Sequence, residues 1–282
     1  MKILLVGSGS ALATCLLPIL RQHAEVMTAG RGDQDVHIDL GDPRECMVVP
    51  AGYDVLINLA AFIGSKTPQD MLRAQEINVL GPLRLAQAAA QAGIGKFVQI
   101  SSIYAILPPQ SPFFSAYALT KRHGDEALDC LCGALNLPLL SLRPSPLYGN
   151  DASFSKNQPF LYGLMERAQQ HQDITLYGNR DALRNFLHAD DLAQTLVAAL
   201  HRDVRGIYAC THPDNVRLSH IANAAIAAFA SCSQVVRLSD KPDVLDNGFT
   251  YDNALALACG FTPRISIEEG MRRIAARRQQ TE

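Results

Sequence analysis

Residues 2–20, Lys2-Ile-Leu-Leu-Val-Gly7-Ser-Gly9-Ser10-Ala-Leu-Ala13-Thr-Cys-Leu-Leu-Pro18-Ile-Leu20, decide how the chain must fold. A run of large apolar residues, a Gly-Ser-Gly-Ser punctuation and an Ala/Leu-rich stretch read as a strand buried on both faces, a tight turn and a helix. No charge falls between Ile3 and Leu20, so the segment superficially looks like a leader or an anchor. The internal glycines and Pro18 fit neither, because a membrane span needs about 20 unbroken apolar residues. A cytoplasmic chain that meets no membrane is the expectation.

Working outward from that unit, the same alternation repeats. Apolar segments at 25–29, 36–40, 54–60, 96–102 and 137–144 accompany two long amphipathic stretches, 68–92 and 115–135. Short apolar strands divided by helices indicate a parallel sheet covered on both faces, a doubly wound α/β fold of the Rossmann type. Beyond Tyr148-Gly149 the rhythm changes to helices near 158–171, 189–201, 217–230 and 266–277, with one short strand at 174–178. Two domains are expected: 1–150, a dinucleotide-binding sheet domain, and 151–282, a smaller, mostly helical substrate lobe that returns elements to the first. Ligands of such sheets bind at the carboxyl ends of the strands, where strand order reverses.

Composition narrows the function. The chain has 282 residues and a net charge of -2 at pH 7, which gives no broad attraction for nucleic acid or an anionic membrane surface. Its seven cysteines (15, 46, 130, 132, 210, 232 and 259) include no C-x-x-C pair and no zinc-type spacing with histidines, so reduced thiols and no metal are expected. Cys130 and Cys132 fall in a helical stretch, where free thiols pack in the core as small hydrophobes.

Gly7, Gly9 and Ser10 stand where the first strand turns into the first helix, so backbone amides and the helix dipole there can hold a pyrophosphate. At the end of the second strand, where an acidic residue would accept from the adenosine ribose, stands Gly30, followed by Arg31. A guanidinium suits the oxygens of a 2′-phosphate, which favours NADP(H) over NAD(H). Asp39 is a candidate partner for the adenine amino group, or else the start of a turn.

Further motifs follow in order: Asn58-Leu59-Ala60-Ala61 after the fourth strand, Glu76-Ile-Asn78-Val-Leu-Gly81 in the next helix, Ser101-Ser102 ending the fifth strand, then Tyr117-Ala-Leu-Thr-Lys121. They resemble the extended short-chain dehydrogenase/reductase family, the NAD-dependent epimerase/dehydratase family that modifies nucleotide sugars. Arg143-Pro-Ser-Pro-Leu-Tyr148-Gly149 and Arg184-Asn-Phe-Leu-His188-Ala-Asp190-Asp191 extend the likeness over nearly the whole chain. One departure is the first loop, where the family's spaced glycines would fall on Gly7, Ser10 and Ala13, and only the first is kept. The resemblance implies catalytic roles for Ser102, Tyr117 and Lys121, and cofactor contacts from Leu59, Ala60, Ala61, Asn78, Tyr117 and Lys121. Asn78 and Lys121 would fix the cofactor ribose, Ser102 and Arg184 would bind a nucleotide-sugar substrate, and two copies would pair as a homodimer through the long helices.

Tyr117 and Lys121 lie four residues apart and therefore on one helix face. A tyrosine titrates near 10 and a neighbouring cation favours its ionised form, so the pair is expected to bring the phenol toward neutrality. Dehydratases of the family carry Asp-Glu after the catalytic Ser/Thr, because eliminating water needs extra acid/base groups; Ile103 and Tyr104 occupy those places. The expected function is NADPH-dependent reduction of a nucleotide-linked 4-keto sugar. An NAD-dependent nucleotide-sugar 4-epimerase is the alternative, and a non-catalytic dinucleotide-sensing protein is the reading of another class.

Overall fold

The computed structural model describes residues 1–42, 47–64 and 66–280, so Cys46 lies outside it. In chain order the first elements are β1 (Lys2–Val6), α1 (Ala11–Leu20), β2 (Glu25–Gly30), β3 (Val36–His37), β4 (Val55–Asn58), α2 (Pro68–Gln75), α3 (Gly81–Gln91), β5 (Lys96–Ile100), α4 (Ala116–Ala134) and β6 (Leu139–Pro144). There follow β7 (Leu147–Tyr148), α5 (Pro159–Gln169), β8 (Ile174–Tyr177), β9 (Leu183–Arg184), β10 (Leu187–His188), α6 (Ala189–His201) and β11 (Gly206–Cys210). The last are β12 (Val216–Arg217), α7 (Leu218–Ala228), β13 (Val235–Leu238), α8 (Ala254–Cys259) and α9 (Ile267–Gln279).

The chain divides into two compact units: Met1–Ser145 with Ala193–Cys210 and Asn253–Phe261, and Pro146–Leu192 with Thr211–Asp252 and Thr262–Glu282. The first is built on a seven-stranded sheet of order β11-β6-β5-β4-β1-β2-β3, in which every neighbouring pair is parallel. This is the doubly wound arrangement read from the alternating segments. Chain order runs from β1 outward to β3, then restarts on the other side of β1 with β4, so it reverses between β1 and β4. Val6 and Asn58 end those two strands in register, and the loops after them frame the crevice where such sheets bind ligands. Leu4, Val6, Leu56 and Phe97 pack beneath Leu85 and Ala89 of α3 and Leu128 and Cys132 of α4 in one apolar cluster.

The second unit combines α5, α7 and α9 with three two-stranded pairings, β7 with β10, β8 with β13 and β9 with β12. Tyr148 donates to the Ser266 carbonyl at 3.2 Å, and the Asp191 carboxylate accepts from the Arg264 and Ile265 amides at 2.9 and 2.7 Å. Among the described residues no helix is long and apolar enough to cross a membrane.

Three local expectations need correction. The third strand stops at His37 instead of running to residue 40, because the Asp39 carboxylate accepts from the Gly41 amide at 2.9 Å and opens a turn. The amphipathic stretch 68–92 is not one α-helix: residues Glu76–Leu80 form a π-helical turn between α2 and α3. Pro82 explains it, since a proline has no N–H to give the Asn78 carbonyl and the register must widen. Cys132 is buried as expected but Cys130 is exposed, since residues two apart on a helix face opposite ways.

Candidate active site

The loop after β1 is held tightly. Gly7 has φ +80°, and a Cβ there would lie 2.6 Å from the Ala60 nitrogen, so only glycine permits the loops after β1 and β4 to approach so closely. The Gly7 and Ser8 amides both donate to the Ala29 carbonyl of β2, at 2.9 and 3.2 Å. Ser10 stands where the family has glycine because it caps α1, its hydroxyl accepting from the Ala13 amide at 3.3 Å. The remaining first-turn amides of α1 have no acceptor within the helix, by helix geometry. A glycine cradle ending in a helix N-terminus fits the pyrophosphate of a dinucleotide, although one family glycine is a serine.

On the other side of the crevice, Asn58 is fully buried and joins two loops. Its Nδ2 donates to Gln99 Oε1 at 2.9 Å across the β4–β5 ladder, and its Oδ1 accepts from the Ala60 amide at 3.0 Å. Leu59 is buried, Ala60 half-buried and Ala61 exposed at the strand end. Asn78, within the π-helical turn, accepts from the Phe62 amide at 2.8 Å and donates to the Phe62 carbonyl at 2.8 Å and to Thr120 Oγ1 at 3.0 Å. Both of its N–H donors are spent on protein. It ties the loop after β4 to α4, rather than reaching the lysine or a ribose with those donors. Gly124 belongs to the same junction, since a Cβ there would lie 2.5 Å from the Asn78 carbonyl oxygen.

Helix α4 begins at Ser115, whose hydroxyl caps it, and presents Tyr117, Lys121 and Asp125 at four-residue intervals. Lys121 is 3 % exposed and its ammonium donates to the Ile100 carbonyl, the last of β5, at 3.0 Å. That bond draws the lysine to the strand end where Ser102 follows, and its nitrogen lies 5.9 Å from the centre of the Tyr117 ring. Ser102 caps the short 3₁₀ turn after β5 by accepting from the Tyr104 amide at 3.3 Å, and its hydroxyl is near enough to the Tyr117 phenol to favour the ionised form. Arg122 fixes that turn against α4 through the Ala105 and Leu107 carbonyls. The structure thus brings Ser102, Tyr117 and Lys121 together.

The electrostatics differ from the expectation. Burial pushes the Tyr117 phenol up to about 12, with the nearby Ser102 hydroxyl pulling it down and Tyr104 and Asp125 pushing it further up. Tyr117 as a residue is half-buried, but its hydroxyl end is enclosed. Burial also lowers the Lys121 ammonium to about 8, opposed by the attraction of Asp125. The lysine therefore does not bring the phenol toward neutrality: loss of water penalises phenolate and ammonium alike.

Asp125 is the residue that motif reading passed over. Its carboxylate is fully buried and accepts from Ser101 Oγ at 2.9 Å, Ser141 Oγ at 2.6 Å and Arg143 Nε at 2.6 Å. Its spacing from Tyr117 and Lys121 was the available signal. The other sequence candidates lie outside this cluster. Gly9 belongs to the loop after β1, and Arg31 is exposed in the loop after β2. Asp39 serves the turn already described. Arg184 belongs to the second unit and donates to the Leu183 and Leu245 carbonyls at 2.8 and 2.7 Å. No group of His, Cys, Asp or Glu suited to a metal ion occurs among the described residues.

Known proteins resemble the chain in sequence and in fold. The chain is 27% identical over 216 residues to a ceramide reductase of Caulobacter vibrioides, covering 76% of this chain and 62% of that protein, so it spans less than two thirds of that relative's length. It is 25% identical over 252 residues to a UDP-N-acetyl-alpha-D-glucosaminuronate decarboxylase of Bacillus cytotoxicus, covering 78% and 75% of the two chains. The fold is shared with RMD from Pseudomonas aeruginosa, solved in complex with NADPH, with a TM-score of 0.79, 19% identity and coverage of 100% of this chain and 98% of that one. The profile of the NAD dependent epimerase/dehydratase family matches residues 7–210, from the glycine loop through β11, and the chain belongs to that family.

Proposed function

We propose that the protein is an NADPH-dependent reductase of a carbonyl group, with a nucleotide-linked 4-keto sugar as substrate, Tyr117 as general acid, Ser102 as the hydroxyl that orients the carbonyl oxygen and Lys121 as the cation beside them. The observation that carries this reading is the gathering of the Tyr117 phenol and the Lys121 ammonium, 5.9 Å from the ring centre and bonded to the last carbonyl of β5, beside Ser102, with burial holding the phenol protonated. A phenol at about 12 is a proton donor at neutral pH, which is what reduction requires of it. Epimerisation begins with an oxidation, for which the same group would have to take a proton as phenolate. Absence of the Asp-Glu pair, with Ile103 and Tyr104 in its place, speaks against dehydration.

A nicotinamide dinucleotide, when bound, supplies the hydride. The protein's own contributions are binding and proton placement. Gly7, Gly9 and Ser10 would hold the pyrophosphate, Leu59, Ala60 and Ala61 would line the crevice, and Arg31 would meet a 2′-phosphate. Lys121 stabilises negative charge as it develops on the reduced oxygen, and Tyr117 delivers its proton there. Arg184 is assigned to the substrate diphosphate. Sugar chemistry is supported by the decarboxylase relative, whose name carries a UDP-sugar acid. The ceramide reductase relative supports a second reading, in which the carbonyl is borne by a lipid and the acid is unchanged.

The test is NADPH oxidation, followed by absorbance, with uridine, thymidine and guanosine diphosphate keto sugars and with keto lipids. Tyr117→Phe should abolish turnover and leave NADPH binding intact. Binding of the dinucleotide with no turnover of any ketone would favour the sensor, and interconversion of sugar epimers without net NADPH loss would favour the epimerase.

A further inference from the structure

Of the stretch from Arg184 to His188, the chemistry proposed above uses the arginine and leaves the histidine without a task. His188 is fully buried within the second unit, and its ring meets the Tyr148 ring edge to face, with centres 5.0 Å apart. Its Nδ1 accepts from the Asp190 amide at 3.1 Å, so that nitrogen carries no proton and the neutral ring holds its hydrogen on Nε2. Nε2 is buried and has no hydrogen-bond partner among the described residues. Tyr148 in turn packs against the start of α9. It is fully buried, its hydroxyl donates to the carbonyl of Ser266, which caps that helix, and a Cβ on Gly270 would collide with it.

The charges that face this ring are already engaged. Asp190 Oδ2 lies 3.6 Å from Nδ1 and pairs with the Arg273 guanidinium of α9 at 3.3 Å. Asp191 is buried and accepts from the Arg264 and Ile265 amides. Glu269 holds Arg273 and Arg272 at 2.9 and 3.0 Å, and Glu268 pairs with His220. Burial lowers the titration of His188, with Asp190 opposing, Arg273 adding to the fall, and Asp191 and Glu269 opposing. A proton on Nδ1 would turn the acceptor of the Asp190 amide into a donor facing it, and would leave a buried cation whose other N–H also lacks an acceptor. The carboxylate oxygen beside Nδ1 is the one that binds Arg273, so meeting the new cation slackens the tie between α6 and α9.

We propose that His188 is an acid-sensitive latch of the second unit: as a neutral ring it seats Tyr148 beneath α9, and its protonation frees α9 and opens that unit while the sheet of the first unit stays closed. A ring released from this site takes up a proton at its ordinary value near 6.5, and the enclosed ring does so only at lower pH. The latch therefore holds in full above about pH 7 and weakens as pH falls below about 6.5. There each unit of pH multiplies the open population by about ten, until the enclosed ring also titrates. Carboxylates change charge below this window, so between pH 7.5 and 5.5 the histidines are the side chains that respond.

Hydrogen exchange of the full chain, followed by mass spectrometry from pH 7.5 to 5.5 with each rate divided by its intrinsic chemical rate, reads the opening segment by segment. In wild type, opening of residues 146–149, 187–192 and 262–280 should rise by about tenfold over that range, while β1, β4 and β5 change by less than about twofold. His188→Asn keeps an acceptor for the Asp190 amide but cannot take a proton, so its opening, larger at every pH, should vary by less than about twofold. His188→Gln should behave in the same way. Equal pH dependence of the two sets of segments in wild type overturns the latch, whether or not a variant folds. A tenfold rise that persists in folded His188→Asn or His188→Gln overturns it as well, and assigns the rise to His171, His212 or His220 of the same unit.

Discussion

Replacing Lys121 by methionine should stabilise the protein at neutral pH while destroying its proposed chemistry, and the gain should reverse in alkali. The ammonium is 3 % exposed and titrates at about 8, against 10.5 for an ordinary lysine. At 1.36 kcal/mol per unit, that depression corresponds to about 3 kcal/mol of destabilisation whenever the lysine is charged in both states. Below pH 8 the native protein bears all of it. Between 8 and 10.5 the unfolded chain holds the proton that the native chain has lost, so stability rises with pH; above 10.5 both are neutral and the penalty is gone. Against this stands the bond to the Ile100 carbonyl, worth about 1–2 kcal/mol, which methionine cannot make. The net expectation is a Lys121→Met protein more stable than wild type by about 1–2 kcal/mol at pH 7, or several degrees of melting temperature, and less stable near pH 10. Urea unfolding of both proteins from pH 6 to 10 measures the difference directly. A stability difference that stays constant across that range, or a variant less stable at pH 7, would refute the reasoning.

Other consequences follow from the same geometry. Gly7→Ala forces a Cβ to 2.6 Å from the Ala60 nitrogen at φ +80°, so NADPH binding should fall by at least about tenfold with loss of about 2 kcal/mol or more of stability, read by fluorescence and by melting. Asp125→Asn leaves Arg143 without its buried counter-charge and should cost about 3 kcal/mol in urea unfolding; a loss below about 1 kcal/mol would contradict the role given to that carboxylate. In ultraviolet difference titration between wild type and Tyr117→Phe, the phenolate band should emerge only near pH 12, and a band rising at pH 7–8 would move the assignment toward the epimerase.

What could be read without the structure was whatever the chain encodes locally. The β1 run, Gly7 and the Ser10 cap lie within ten residues of one another, and the sheet and glycine loop follow from them. Pro82 announced the π-helical turn just as locally, though an amphipathic pattern alone passes over it. The place of the Gln34 side chain, which lies over Gly9, Gly30 and Gly32, was not legible, because it depends on missing side chains at Gly9 and Gly30, and only the sheet brings the first of these alongside. The Tyr117 titration was misread for a related reason: spacing shows which charges are near, but not how much water remains around them. Lys121 sits one helical turn away, yet its ammonium turns to the Ile100 carbonyl, and both groups are enclosed. The two shifts share one cause, since withdrawing water disfavours whichever form is charged, phenolate or ammonium. Asp125, the buried carboxylate on that helix face, pushes both values upward. Positive charge brought beside the pair would pull both down, whereas a neutral ring would leave the phenol protonated. An acid role for Tyr117 therefore belongs with a reduced, uncharged nicotinamide, and a base role with an oxidised, positively charged one.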